Sequence, residues 1–121
     1  MTTINTSTTI LNDYTVADLI VIREAAAQHA RDAAEAHLEQ YGEQAYCGFA
    51  WVNIYGIKGN TKLGKRMKAA GFDKDYTGAY SIWNPSGVGT QCMSTKEAGA
   101  DAAAKVYKAA GFTAYAGSRA D

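Results

Sequence analysis

The sequence predicts an α+β domain from three observations: a helical pattern in its first third, one aromatic-rich strand pattern, and a helix-ending motif that occurs twice. The chain has 121 residues, of which 47% are hydrophobic and 20% are charged, as is usual for one packed domain. We expect a single domain over residues 1–121. Its parts are a tail or edge strand over 1–14, a leading helix over 15–41 and a mixed core over 46–118.

The first third of the chain predicts a long amphipathic helix. Apolar or small side chains recur at helical spacing from Val16 to Tyr41. Thr15 precedes the first turn and Asp18 follows three positions later, which resembles a capping box, while Gly42 is a typical stop. The many alanines in this helix allow it to approach its neighbours closely.

Residues 46–55 (YCGFAWVNIY) give the clearest strand pattern, because they are rich in aromatic and β-branched side chains. Both of its faces are largely apolar, so we expect this strand to lie centrally in the sheet with both faces covered.

The motif KAAGF occurs at residues 68–72 and again at 108–112, each time at the end of an amphipathic helix. In each copy the glycine, Gly71 or Gly111, is predicted to adopt a positive φ and to close the helix. Further strands are predicted over 77–83, 89–95 and 113–117, with a turn at 84–87.

From residue 46 onward the predicted order is therefore β-α-β-β-α-β. With an antiparallel sheet and a long helix in front, this order corresponds to the ferredoxin-like arrangement.

Residues 58–66, which we call the basic segment, are the first candidate site. The string from 59 to 65 matches a phosphate-binding P-loop as far as its lysine, but Arg66 replaces the hydroxyl residue that would hold magnesium. Cations and glycines at a helix N-terminus nevertheless favour an anionic ligand. The candidate ligand-binding residues here are Lys58, Asn60, Lys62, Lys65 and Arg66. We favour the simpler interpretation of a solvated helix face with a flexible loop, and an anion or phosphate site is the alternative.

Aromatic residues form the second candidate site. Phe49, Trp51 and Tyr55 share one face of the first strand, and Trp83 and Tyr115 lie on other strands. We favour a core role beneath the leading helix. The alternative is a platform on which bases stack, as in RNA-recognition motifs, and its candidate residues are Trp51 and Trp83.

No metal site or cofactor is predicted. His29 and His37 stand eight positions apart on one helix, which is about 12 Å and too far for a shared zinc ion. Cys47 and Cys92 are interpreted as core thiols in a reducing compartment. The sequence shows no signal peptide and no membrane-spanning run, so we expect a cytoplasmic protein without membrane contact.

Charge is unevenly distributed along the chain. Residues 1–45 carry seven carboxylates against two arginines, whereas residues 46–121 carry ten cations against five carboxylates. This asymmetry indicates an anionic partner for the second part, or contact between the two parts. We therefore expect a homo-oligomer in which the leading helix contributes to the contact.

Three segments resemble parts of small uncharacterised proteins of tailed bacteriophages: CGFAWV (47–52), STKEAGADA (94–102) and AYAGSRAD (114–121). The resemblance brings no functional residues with it. It implies expression in the cytoplasm of an infected bacterium, where short proteins often block host factors or capture nucleotides.

These observations favour a non-enzymatic binding protein, such as a phage-encoded inhibitor or sponge for a host protein or a phosphate-bearing ligand such as a nucleotide. Two alternatives stay open: a small enzyme acting on a phosphorylated substrate, and a single-stranded nucleic-acid-binding module. The position of the leading helix separates them, because a helix over Trp51 would exclude the stacking of bases there.

Overall fold

The computed structural model describes residues 8–43, 47–90 and 92–120. In chain order their elements are α1 (Thr8–Asp13), α2 (Val16–Tyr41), β1 (Gly48–Tyr55), α3 (Lys62–Ala69), β2 (Asp73–Lys74), β3 (Tyr80–Trp83), α4 (Met93–Ala109) and β4 (Thr113–Ala120). The predicted α+β class, the antiparallel sheet and the long N-terminal helix are confirmed.

The sheet has four strands in the order β2-β3-β1-β4, and every neighbouring pair runs antiparallel. The prediction that the first strand is central is confirmed, because β1 lies between β3 and β4. Trp51 is the register partner of Trp83 on one side and of Gly117 on the other. Residues far apart in sequence are thereby brought together across the sheet.

The leading helix begins and ends close to its predicted limits. The Oγ1 of Thr15 accepts a hydrogen bond from the Asp18 N–H at 3.1 Å, and the Asp18 carboxylate accepts one from the Thr15 N–H at 2.9 Å. This reciprocal pair is a capping box. At the other end Gly42 has a φ of 70°, and its N–H donates to the Leu38 carbonyl.

The segment before this helix differs from the prediction. Residues 8–13 form α1 rather than a tail or an edge strand; residues 1–7 lie outside the described ranges. Tertiary contacts explain the difference. Leu11 is buried in the core, and the Tyr14 hydroxyl donates to the Ala110 carbonyl at 2.7 Å.

The KAAGF motif ends α3 and α4 as predicted. Gly71 has a φ of 98° and Gly111 a φ of 101°. In each copy the following phenylalanine, Phe72 or Phe112, is buried, and its N–H donates at 3.0 Å to the carbonyl five residues earlier. The motif therefore closes each helix and anchors the chain that returns to the sheet.

The second and third strands lie elsewhere than predicted. The segment 77–83 contributes only β3, and the second strand is the two-residue β2 directly after the first helix cap. The hairpin forms at this point because Asp75 closes a tight turn: its N–H donates to the Ala79 carbonyl at 2.8 Å, and its carbonyl accepts from the Gly78 N–H.

The predicted strand over 89–95 is wrong, because α4 already begins at Met93. Thr95, Gly99, Ala103 and Tyr107 are all buried on one side of this helix. Their spacing of four residues is helical, and it extends the apolar face of α4 back to its first turn.

The helices pack on one face of the sheet. The core cluster includes Ala50, Val52 and Ile54 of β1 together with Leu19, Ala26 and Ala30 of α2. A Cβ at Gly99 of α4 would lie 3.1 Å from the Ala30 carbonyl oxygen, so glycine and alanine allow α2 and α4 to approach closely. None of the helices in the described ranges is both long enough and apolar enough to cross a membrane.

Candidate ligand-binding face

The side of β1 that points away from the helices carries Phe49, Trp51, Asn53 and Tyr55. Their neighbours along the strand face the core, since successive side chains of a strand point to opposite sides. Cross-strand register adds Trp83 beside Trp51 and Tyr115 beside Asn53. We call the rings of this surface the aromatic face; they belong to Phe49, Trp51, Tyr55, Trp83 and Tyr115.

The aromatic face is open to solvent. Trp83 and Tyr115 are each 57% exposed and Tyr55 is 41% exposed, while Phe49 and Trp51 are partly buried. The expectation that both faces of β1 are covered is therefore wrong, as is the interpretation of these rings as core beneath the leading helix. Instead α2 packs alongside α4 on the opposite face of the sheet.

The rings contact one another rather than standing separately. Trp51 and Trp83 are stacked, with centroids 5.4 Å apart and planes 2° from parallel. Phe49 lies 5.5 Å from Trp83 at a tilt, and Tyr55 lies 6.2 Å from Tyr115. These separations are within the favourable range for aromatic pairs, so each ring is held in position by its neighbour.

Gly117 creates the space that the Trp51 indole occupies. A Cβ at position 117 would lie 2.6 Å from the indole Nε1 and 2.7 Å from Cε2. Any side chain on β4 at this point would force the indole to move. The absence of a side chain at position 117 therefore allows the Trp51 indole to lie against β4.

A groove crosses the aromatic face beside the indole rings, and we call it the sheet groove. Its volume is about 330 Å³. The residues that line it come from three strands and from the β2–β3 turn: Trp51, Asn53, Tyr55, Asp75, Tyr76, Thr77, Ser81, Trp83 and Arg119. Tyr76 is 99% exposed at the rim, so a further ring is available to a ligand in the groove.

The sheet groove also presents polar groups. The Asp75 carboxylate accepts hydrogen bonds from the Thr77 N–H at 2.8 Å and from the Thr77 hydroxyl at 2.6 Å. These bonds lower the pKa of Asp75, so it stays ionised near neutral pH. Asn53 donates from Nδ2 to the Tyr55 hydroxyl at 3.1 Å, and its Oδ1 is buried with no hydrogen-bond partner among the described residues.

Cations lie at the rings of the first and fourth strands. The Arg119 guanidinium is 5.9 Å from the centre of the Phe49 ring, and the Lys108 ammonium is 5.1 Å from that of Tyr115. Lys96 is almost fully buried; its Nζ donates to the Gly48 carbonyl at 3.0 Å and lies 5.2 Å from the Phe49 ring. Positive charge therefore accompanies the rings along β4, whereas the carboxylate of Asp75 lies on the side of the β2–β3 turn.

The basic segment lies beyond the end of β1 and continues into α3. Lys58, Asn60, Lys62 and Lys65 are exposed. None of them lines the sheet groove in the part of the chain that is described. Thr61 caps the helix by accepting from the Gly64 N–H at 3.0 Å, and its hydroxyl donates to the Lys58 carbonyl.

Arg66 is engaged in a structural contact. Its Nη1 donates to the carbonyl of Asn12 at 2.8 Å and to that of Tyr14 at 3.2 Å, which ties the α1–α2 connection to α3. Whether any residue of the basic segment binds a ligand stays a prediction.

A second cavity of about 330 Å³ lies near the basic segment at the β2 edge. Its cations are Lys68 and Lys74, and Asp73 lies beside them. Burial raises the pKa of Tyr80, another lining residue, and its hydroxyl donates to the Gly64 carbonyl at 3.2 Å. This tyrosine is therefore not available as a base, and the cavity presents mixed charge rather than a cluster of cations.

The remaining titratable candidates do not assemble into a site. His37 is half-buried, with Nδ1 at 3.1 Å from the Thr95 hydroxyl, and His29 is exposed. Across the described ranges, no group of three or more His, Cys, Asp or Glu side chains is placed to hold a metal ion.

Sequence reasoning selected Trp51 and Trp83 but missed the partners that shape their surroundings. Gly117, Arg119 and Asp75 carry no local signal, because each matters only through the strand register or the turn that brings it to the rings.

No family model matches the chain, and the searches of curated proteins and of solved structures gave no match either.

Proposed function

We propose that this chain is a non-enzymatic module that binds single-stranded nucleic acid, with bases stacked on the aromatic face. The observation that carries the proposal is a cluster of exposed rings on the helix-free face of the sheet, centred on the stacked pair Trp51 and Trp83. Exposed apolar clusters of this kind mark interaction surfaces. Base stacking on such rings tolerates any sequence, because every base presents a π face.

We also propose that the topology is ferredoxin-like. Read from β4, the strand order is β4-β1-β3-β2, and the element order after α2 is β-α-β-β-α-β. In RNA-recognition motifs of that fold, aromatic residues of the central strands stack on two or three bases. Here the central strands are β1 and β3, which carry Trp51 and Trp83.

The charges support an orientation for the bound strand. Phosphates are favoured along β4, where the Arg119 and Lys108 side chains lie against the rings. They are disfavoured at the β2–β3 turn, because the Asp75 carboxylate is ionised. A carboxylate accepts hydrogen bonds only, so its suitable partner is the amino or imino N–H of a base.

The sheet groove also favours a single strand over a duplex. Its lining combines aromatic rings with the shorter side chains of the register partners Asn53 and Ser81, so it suits flat unpaired bases. In a duplex the faces of internal bases are already stacked and cannot meet the rings.

The test is a titration of short single strands of RNA and DNA, followed by the fluorescence of the two tryptophans. Stacking is worth about 1–3 kcal/mol per base, so Trp83→Ala should weaken binding about 5- to 150-fold. Tyr115→Ala should also weaken binding, but by a smaller factor. The matched control is Tyr41→Ala, because Tyr41 and Tyr115 are both 57% exposed tyrosines but Tyr41 lies at the end of α2, away from the sheet groove.

If the wild type binds single strands and the Trp83→Ala variant binds them as tightly as the Tyr41→Ala variant does, the proposal is contradicted. The same would hold for a duplex that binds as tightly as a single strand.

A phosphate-bearing small ligand, such as a nucleotide held by the basic segment, is the second candidate. Its support is the cavity next to this segment, where Lys68 and Lys74 outnumber the single carboxylate of Asp73. Mononucleotide binding that is lost in the Lys58/Lys62/Lys65→Ala variant and retained in Trp83→Ala would support this candidate over the first. No binding to any nucleic acid or nucleotide would favour a host protein as partner, which a phage origin would also fit.

The homo-oligomer stays a prediction. Ile20 and Val21 of α2 are exposed apolar residues beside acidic ones. Sedimentation at micromolar concentration tests it directly, and a clean 12.9 kDa species would contradict it.

A further inference from the structure

Two cysteines that are 45 positions apart in sequence meet where α4 joins the sheet. Cys47 directly precedes β1, and Cys92 directly precedes α4. The two residues are partners in an isolated antiparallel bridge. Directly opposed residues in such a pair have Cα atoms roughly 4.5–5.5 Å apart, which falls inside the range of about 4.4–6.8 Å that a disulfide needs.

One neighbouring hydrogen bond ties the two segments together, and a second one orders the chain just before α4. The Lys96 ammonium donates to the Gly48 carbonyl at 3.0 Å, which ties the first turn of α4 to the start of β1. On the other side of the bridge, the Cys92 N–H donates to the Thr90 hydroxyl at 3.1 Å. The Met93 side chain fills the space beside the Cα of Gly48. A disulfide here would need little movement of the chain.

The two thiols differ in access. Cys47 is partly exposed, whereas Cys92 is fully buried. An oxidant in solution therefore has access to the first residue but not to the second. This is the arrangement in which one cysteine is attacked and the other resolves the product.

We propose that Cys47 and Cys92 are a redox modification site, which a low-molecular-weight disulfide such as oxidised glutathione converts into an intramolecular disulfide. The Cys47 thiolate attacks one sulfur of glutathione disulfide, which forms a mixed disulfide and releases one glutathione thiolate. The Cys92 thiolate then attacks the Cys47 sulfur and releases the second glutathione. Two protein thiols lose two protons and two electrons, and one glutathione disulfide is reduced to two thiols.

The new bond would link the start of β1 to the start of α4. It closes a loop that contains β1, α3, β2 and β3, and loops of this length give a substantial gain in stability. Phe49 of the aromatic face lies two residues from Cys47, so the bond would also fix the end of the strand that carries the rings. The proposal does not depend on what the aromatic face binds.

The chain suits a direct test because it contains only two cysteines. The full-length protein is incubated in glutathione buffers of graded ratio and analysed by intact mass under acid quench. We expect the protein to lose the mass of two hydrogens without a change in oligomeric state. Dithiothreitol should restore the original mass. The melting temperature of the oxidised form should rise by roughly 5–15 °C.

Two variants separate the steps. Cys92→Ser should accumulate the mixed disulfide of glutathione at Cys47, because no thiol resolves it. Cys47→Ser should stay unmodified as long as it is folded, because Cys92 is buried; circular dichroism checks the fold. A wild type that keeps a glutathione adduct without losing two hydrogens would overturn the proposal, as would disulfide-linked dimers as the main product.

Discussion

The aromatic face and the basic segment were both candidate sites in the sequence, but the structure assembles their residues in different ways. The rings come from β1, β3 and β4, with up to 66 positions between them in the sequence, yet their centres lie 5.4 to 6.2 Å from a neighbouring ring. The basic segment is continuous in sequence, yet its lysines are exposed and Arg66 is bound to backbone carbonyls.

This difference shows that residues close together in sequence need not form a site, whereas residues far apart in sequence can form one. A loop that runs into a helix distributes its side chains around the axis, so neighbouring cations point in different directions. A sheet places every second residue of each strand on one face, and register then aligns those residues across strands. Each of the five rings of the aromatic face contacts a ring of another strand in this way.

The two regions also differ in what holds them. Close backbone packing fixes the start of α3: a Cβ on Gly64 would collide with the Lys58 carbonyl oxygen and lie 2.9 Å from the Gly59 Cα. On the aromatic face the absence of a side chain at Gly117 makes room for the Trp51 indole. Substitutions at these glycines should therefore separate effects on stability from effects on binding.

The largest effect is expected for Gly64→Ala in the basic segment. Because the obstacle is backbone, the chain must shift, and we expect a loss of about 2 kcal/mol in the free energy of unfolding. Gly59→Ala is the matched control, since its Cβ would meet only the flexible end of Lys74 at 3.4 Å. Urea denaturation measures both. Below its transition, Gly64→Ala should bind single strands as the wild type does; a loss as large as that of Trp83→Ala would place the basic segment in the site.

Gly117→Ala should have the opposite profile. The methyl group displaces the Trp51 indole and disturbs its stack with Trp83, so we expect about a tenfold loss of affinity for single strands, close to the contribution of one stacked base. The cost in stability should be smaller, about 1 kcal/mol. Gly89→Ala serves as the control, because nothing lies within 4 Å of its added Cβ. Unchanged affinity in Gly117→Ala would mean that the indole position does not matter for binding.

Salt dependence distinguishes the two regions without any substitution. If phosphates meet only Arg119 and Lys108, the logarithm of the association constant should fall with the logarithm of salt concentration with a slope of about −1.4. Engagement of Lys58, Lys62 and Lys65 as well would give a slope of about −3.5. Titrations between low and physiological salt measure this slope. The steeper value would indicate that the phosphates contact the basic segment as well.

The smallest effect concerns the turn at the rim of the sheet groove. Hydrogen bonds from Thr77 lower the pKa of Asp75 below its ordinary value of 3.8, so the ionised form is favoured in the folded state. The stabilisation from this carboxylate is present above pH 3.8 and is lost as the pH falls through the lowered pKa. Asp75→Asn should therefore be slightly less stable than the wild type at pH 6, and the difference should vanish in strong acid. A difference that grows as the pH falls would contradict this assignment.

The sequence by itself determined the local elements that carry strong periodicity or capping. The limits of α2 follow from Thr15, Asp18 and Gly42, and the ends of α3 and α4 follow from the repeated KAAGF motif. The central position of β1 was predicted correctly from its apolar composition, although the accompanying expectation that both of its faces are covered was wrong. In each case the signal lies within a few residues, because the interactions concerned are bonds along one helix or the alternation of one strand.

Tertiary structure alone decided which face of the sheet stays open. Both faces of β1 are apolar in sequence, so its composition does not distinguish a ring that packs in the core from one that is exposed to solvent. The outcome depends on where α2 lies, and α2 packs beside α4 because Ala30 and Gly99 allow the two backbones to come close. The short β2 and helix α1 were equally hidden, because each depends on contacts between residues distant in sequence rather than on a local preference.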